Sequence, residues 1–222
     1  MALMRRLAAA SLVAASLWGA SVPVRARRAM VVTREAHATA AGVEALRAGG
    51  NAVDAAVAVG MALAVTHPAA GNLGGGGFML VRFADGRTTF LDFRERAPER
   101  ASRDMYLDPE GNPTRDSVVG YRAAGVPGTV AGLEFAHRKY GCRPWAQLVT
   151  AAVRLAEEGF PVSKGLAASL RRASSLLERF PESRRIFLNG GKHFNPGDTL
   201  VQPELARTLE RIRRRGARDF YR

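Results

Sequence analysis

From residue 30 onward the apolar positions fall into runs whose period switches between that of a strand and that of a helix. Residues 30–33 form a short apolar run of strand type. Residues 36–47 carry apolar positions at helical spacing and close on Gly49-Gly50, a helix stop. Asn51 can cap a second helix, with Asp54 in its first turn, that runs to about Val65. Ala and Val make up nearly all of that segment, so it has no polar face to offer water and has to lie in a core. His67-Pro68 ends it. Four glycines at 74–77 lead into an apolar run, 78–83, of strand length; Asp85-Gly86 is a hairpin turn and 88–94 returns as the partner strand. On a period of two, Phe90, Asp92 and Arg94 share one face of that strand, and Leu91 and Phe93 the other.

Residues 97–128 are rich in Asp, Pro, Gly and Arg, with turn signals at Asp108-Pro109 and Glu110-Gly111-Asn112-Pro113, and predict a long irregular connection of the kind that often carries function. Helical spacing resumes over 129–140, stopped by Gly141; over 144–158, opened by Pro144 and stopped by Gly159; over 163–180, capped by Ser163; and over 203–215. Mixed helices and strands in a chain of 222 residues, 47% of them apolar, predict a globular chain with a sizeable core. The amino terminus predicts a signal peptide over 1–26: a positive 1–6, an apolar 7–18, and small residues at Val24 and Ala26 around Arg25. Twelve apolar residues span roughly 18 Å of helix against a hydrocarbon core of about 30 Å, so no stable membrane anchor is expected. The expected mature chain is 27–222 and its expected location periplasmic or secreted.

The net charge of +13 would suit nucleic acid, but only Lys139, Lys164 and Lys192 among the 33 basic residues are lysine. Such Arg-for-Lys usage is a compositional habit rather than a footprint, and the one dense basic cluster is 207–222, so no nucleic-acid partner is expected. One cysteine, Cys142, excludes an intramolecular disulfide and a Cys-based zinc cluster. His37, His67, His137 and His193 lie at least 30 residues apart, so no metal site is expected. There is no Gly-x-Ser-x-Gly elbow, phosphate loop or dinucleotide fingerprint, and no cofactor is expected. Cys142 reads as an inert thiol in a turn. Two features remain. The glycine run serves either tight packing or the wall of a pocket. Arg94 offers a planar fork suited to a carboxylate, and an ion pair with Asp92 is the alternative.

At these residues the sequence resembles a family. Gly49-Gly50-Asn51-Ala52-Val53-Asp54-Ala55-Ala56-Val57-Ala58, Thr66-His67-Pro68, Gly71-Asn72-Leu73-Gly74-Gly75-Gly76-Gly77-Phe78-Met79-Leu80, Asp92-Phe93-Arg94-Glu95 with Ala97-Pro98, and Gly125-Val126-Pro127-Gly128-Thr129-Val130-Ala131-Gly132 look like the amino-terminal part of the large subunit of the γ-glutamyltranspeptidases. The resemblance runs from about residue 30 to 222 and implies an α/β fold, part of the N-terminal-nucleophile hydrolase fold, a four-layer αββα sandwich whose small-subunit half is missing here. It implies a precursor that cuts itself into large and small subunits, with the new amino-terminal Thr of the small subunit as nucleophile and its own amine as base. The substrate implied is glutathione or another γ-glutamyl compound, whose glutamyl group passes to water or an amino acid. Arg94 would hold the α-carboxylate. Arg96 stands where relatives commonly carry an apolar residue. No catalytic residue is expected in this chain: the nucleophilic Thr would lie beyond Arg222, and Thr66-His67 closes a helix before Pro68. The alternatives are a related acylase of the same superfamily, such as the cephalosporin acylases, and a non-catalytic remnant.

Overall fold

Asn51 and Asp54 start the helix around which the others gather. The computed structural model describes residues 23–222, so nearly all of the expected leader lies outside the described residues. Helix α1 (Ala36–Arg47) is capped by the Glu35 carboxylate, which accepts from the Ala38 N–H, and ends at Gly49, whose φ of +86° is left-handed as the stop signal requires. Helix α2 (Ala52–Thr66) opens with a reciprocal capping box between Asn51 and Asp54 and buries residues on every side, including Val57, Met61 and Val65. Helix α3 (Thr129–Tyr140) and helix α4 (Trp145–Glu157) pack against it. Helix α4 buries Leu148, Val149, Ala152 and Ala156, a single stripe of helical spacing.

The expected hairpin forms from β1 (Phe78–Arg82) and β2 (Thr88–Asp92), antiparallel, with Phe78 opposite Asp92 and Arg82 opposite Thr88. Its inner face carries Met79, Val81 and Leu91 against Val53 of α2 and Ala136 of α3. Its outer face leaves Phe78, Leu80 and Phe90 exposed, with the two Phe rings stacked 5.6 Å apart. Beyond α4 a second ladder, β3 (Phe160–Pro161) with β4 (Thr199–Leu200), was not expected, because two residues per strand leave no alternation to detect.

Two expectations are corrected. Residues 31–33 are irregular: a strand needs a partner for its N–H and C=O groups, and none runs beside them among the described residues. The helix expected over 163–180 is three pieces of structure. Helix α5 (Lys164–Arg172) buries Ala167 and Leu170, then the chain breaks at Ala173, where the Ser174 hydroxyl turns back to the Arg171 carbonyl at 2.9 Å. The short α6 (Ser174–Leu177) packs only Leu177, half-buried, against the core, and Pro181 begins a separate α7 (Pro181–Phe187), since so small an apolar face does not hold a long helix straight.

Helix α8 (Pro203–Arg215) buries Ala206, Leu209 and Ile212 against α4, and the indole N–H of Trp145 donates to the Ile212 carbonyl at 3.0 Å. The chain then adds a short α9 (Ala217–Tyr221), tied to α3 where the Ala217 N–H donates to Glu134 at 3.0 Å. The basic cluster here is mostly paired. Arg213 and Arg214 both bond Glu210, and Arg211 and Arg215 both reach Asp219, at 2.7 and 3.2 Å. Hydrogen bonds from Arg213 and then Arg214 outweigh burial and hold the Glu210 carboxyl down at about 2. Among the described residues no helix is long and apolar enough to cross a membrane.

Candidate functional site

Beyond β2 the chain continues extended, and two glycine-rich segments clasp it. On one side the Phe93 N–H donates to the Gly77 carbonyl at 3.0 Å, and the Gly77 N–H returns to the Phe93 carbonyl at 3.3 Å. On the other, Arg96 and Val126 exchange backbone bonds of 2.8 and 3.2 Å. The two clasping segments are tied to each other, because the Gly128 and Thr129 N–H groups both donate to the Gly75 carbonyl, at 2.7 and 3.0 Å. Asn72 locks this crossing: its Oδ1 accepts from the Gly75 N–H at 3.0 Å and from the Thr129 hydroxyl at 2.6 Å.

Close approach rather than positive φ explains Gly75, Gly76 and Gly77, while the space beside Gly74 is open. A Cβ on Gly76 would stand 2.6 Å from the Phe93 carbonyl oxygen and 2.7 Å from the Glu95 nitrogen, inside any real contact. Gly132, on the first turn of α3, meets the Phe93 ring in the same way.

Alternation along the clasped segment then sorts its side chains. Glu95 turns towards Gly76 and Gly125, whereas Arg94 and Arg96 line an open groove of about 530 Å³ on the opposite side. Phe90, Val126, Pro127 and Phe135 supply apolar walls of that groove. Both arginines are exposed, and among the described residues neither guanidinium stands within ion-pair distance of a carboxylate. The Asp92 carboxylate, the partner weighed for Arg94, accepts instead from the Arg94 backbone N–H at 3.0 Å. Arg96 had been read only as a departure from the family pattern; its spacing of two residues from Arg94 was the signal that both face one side.

The remaining candidates do not join this groove. Thr66 is buried and its hydroxyl donates to the Ala62 carbonyl at 3.1 Å, so it is an ordinary helix residue. Cys142 donates its thiol proton to Asp54 at 3.0 Å; that hydrogen bond, with burial and the Asp54 charge, pushes the thiol pKa up and keeps it protonated. Asp54 itself is fully buried. Its burial works to raise the carboxyl pKa, but hydrogen bonds from the Cys142 thiol and from the N–H groups of Asn51, Arg143 and Cys142 together win, and the pKa is lowered. The sequence showed Asp54 as a capping residue and gave no sign that it also fastens the turn at 141–143. Among the described residues no group of three or more His, Cys, Asp or Glu side chains could hold a metal ion.

Comparison with known proteins places this arrangement. The sequence model of the family described as Gamma-glutamyltranspeptidase matches residues 38–222. The glutathione hydrolase proenzymes of Pseudomonas sp. (strain A14) and of Escherichia coli (strain K12) are each 52% identical over 201 residues, which cover 90% of this chain and 35% of theirs. The chain thus spans about a third of the length of these relatives. The crystal structure of the Helicobacter pylori γ-glutamyltranspeptidase superposes with a TM-score of 0.87 at 43% identity, over 90% of this chain and 58% of that one. A mixed helix and sheet architecture, a glycine-clasped strand and a family match over most of its length lead to one statement: this chain belongs to the γ-glutamyltranspeptidase family.

Proposed function

We propose that this chain is the substrate-clamping, amino-terminal part of a γ-glutamyltransferase, or glutathione hydrolase, precursor. In the complete protein a second subunit from the same precursor supplies the amino-terminal Thr nucleophile and completes a four-layer αββα sandwich, of which the hairpin here is one element. The exposed outer face of that hairpin, with Phe78, Leu80 and Phe90, is suited to such a cover. Arg94 takes the α-carboxylate of the γ-glutamyl donor. The observation that carries this reading is the placement of the Arg94 side chain, unpaired with any carboxylate among the described residues, in a groove whose backbone is fixed by the glycine clasp.

The chemistry asks little more of this chain. A carboxylate leaving water for a covered groove needs charged donors in fixed positions, and a planar guanidinium can give two parallel hydrogen bonds. The test joins this chain in frame to the carboxy-terminal remainder of the E. coli relative and compares Arg94→Ala with the parent. Loss of one partner of a covered charge pair costs about 2–5 kcal/mol, so KM for a γ-glutamyl anilide should rise more than tenfold. Self-cleavage on a gel should continue, because maturation uses no donor substrate. A near-normal KM with poor maturation is the opposite result, and it would leave Arg94 a structural residue.

A further inference from the structure

The groove presents two cations where the proposed clamp uses one. Arg96 follows Arg94 by two residues on the same face of one extended segment, which sets their Cα atoms on the order of 7 Å apart. Its backbone is pinned by both hydrogen bonds to Val126, so the origin of the side chain is fixed as firmly as that of Arg94. Among the described residues no carboxylate stands within ion-pair distance of its guanidinium. Glu95, the carboxylate between them, turns away towards Gly76 and Gly125, and Asp92 is committed to the Arg94 backbone. Some arginines of this chain find partners, as Arg122 does in Asp116, Arg185 in Glu182 and Glu204, and Arg211 in Asp219. Arg82, Arg138 and Arg172 are exposed and, like Arg96, have no ion-pair partner among the described residues, so it is the shared groove that sets Arg94 and Arg96 apart. Two arginines whose backbones are held in place and which line one groove offer a site for an anion with two negative groups.

We infer that Arg96 is a specificity-determining residue, which selects γ-glutamyl donors that carry a second carboxylate beyond the one held by Arg94. The ligand class is therefore dicarboxylic γ-glutamyl compounds, preferred over donors whose leaving group is neutral. This rests on the proposed role of Arg94 as the α-carboxylate clamp. The Arg96 side chain takes no part in the Val126 bridge, which uses backbone atoms alone, so its substitution leaves the clasp in place.

The experiment uses the same complete, in-frame enzyme and two donors: glutathione, whose glycine carboxylate is free, and its glycine ethyl ester, which lacks that charge. Arg96→Gln should raise KM for glutathione about five- to tenfold and change that for the ester less than twofold, while Arg96→Lys, which keeps the charge, should recover much of the preference. Added salt should narrow the gap between the donors in the parent enzyme and leave it unchanged in Arg96→Gln. Equal changes for both donors, or none for either, overturn the role given to Arg96. Arg94→Lys provides the separate control: it should raise KM for both donors alike, and an Arg94→Lys enzyme unchanged with both would overturn the clamp itself.

Discussion

Asp54 is the residue whose loss the structure allows to be worked through in most detail. Its carboxylate is fully buried and accepts from the Asn51 N–H at 2.8 Å, the Cys142 N–H at 3.1 Å, the Arg143 N–H at 3.3 Å and the Cys142 thiol at 3.0 Å. It thereby joins the start of α2 to the turn between α3 and α4. In Asp54→Ala the three backbone donors lose their acceptor. Each would cost about 1–3 kcal/mol if it stayed dry, but Cys142 is exposed and water recovers part of this, which leaves a loss of about 3 kcal/mol. A chain of this size has a urea m-value of about 2–3 kcal/mol/M, so the midpoint should fall by roughly 1–1.5 M. Pulse proteolysis in urea at sub-micromolar protein reads that midpoint while keeping the exposed hairpin face from associating. The sign of the pH dependence follows from the lowered pKa. Asp54 contributes its full stabilisation above the unfolded value of about 3.9, and the contribution is lost as pH falls through the lower folded value. The parent and Asp54→Asn should therefore differ by a constant amount at neutral pH and converge only below about pH 3.9. A midpoint change under about 0.3 M for Asp54→Ala, or a gap that does not narrow in acid, would refute the role assigned to this carboxylate.

Two further outcomes follow from the packing around the groove. Gly132→Ala forces a methyl onto the Phe93 ring, so it should destabilise the protein by about 1–3 kcal/mol in the same proteolysis measurement and, through the shift of Phe93, raise donor KM; a variant as stable as the parent would mean that the ring moves freely. Leu80→Thr with Phe90→Thr replaces side chains that are 73% and 58% exposed, so light scattering from the 222-residue chain should fall while its circular dichroism stays the same, and unchanged scattering would show that self-association does not use this face.

What the sequence made legible, and what it did not, divides along physical lines. Helices α1, α2, α3 and α8 could be read almost to the residue, because each has a cap or a stop and a stripe that the core buries. The hairpin was equally plain from Asp85-Gly86 between two alternating runs. The helix expected over 163–180 breaks at Ala173, because its apolar residues keep helical spacing beyond Leu170 while in α6 only Leu177 packs, half-buried, against the core. The run at 30–33 failed for the converse reason: strand propensity was present and the partner was not. In the candidate site, Arg94 stood out through its residue type and its position at the end of a strand. The clasp around it did not, because it joins segments up to 57 residues apart, mostly through backbone atoms, which sequence pattern does not encode. Only the glycines hinted at it, and they left packing and pocket wall as equal readings. The structure favours packing: Gly76 lies against the backbone of Phe93 and Glu95, and the groove itself is lined by residues outside the run 74–77.

The same clasp settles how two arginines can be kept so close without a counter-ion. Two guanidiniums as far apart as their Cα atoms, about 7 Å, would repel by roughly 0.6 kcal/mol in bulk water, which a folded chain absorbs easily while the groove is open. Covering the groove lowers the effective dielectric to about 20 and raises that repulsion to roughly 2.4 kcal/mol, before any loss of hydration is counted. An anionic occupant reverses the sign of the effect, because its attraction to both cations grows as water leaves. Whatever covers this face should therefore close more readily over a bound carboxylate than over an empty groove. Since the repulsion arises from Arg94 and Arg96 together, removing the second charge should ease closure without ligand and at the same time weaken the pull on a dianionic donor. Selectivity for a second carboxylate and reluctance to close empty are then two consequences of one arrangement, set by a strand that places its alternate residues on one side.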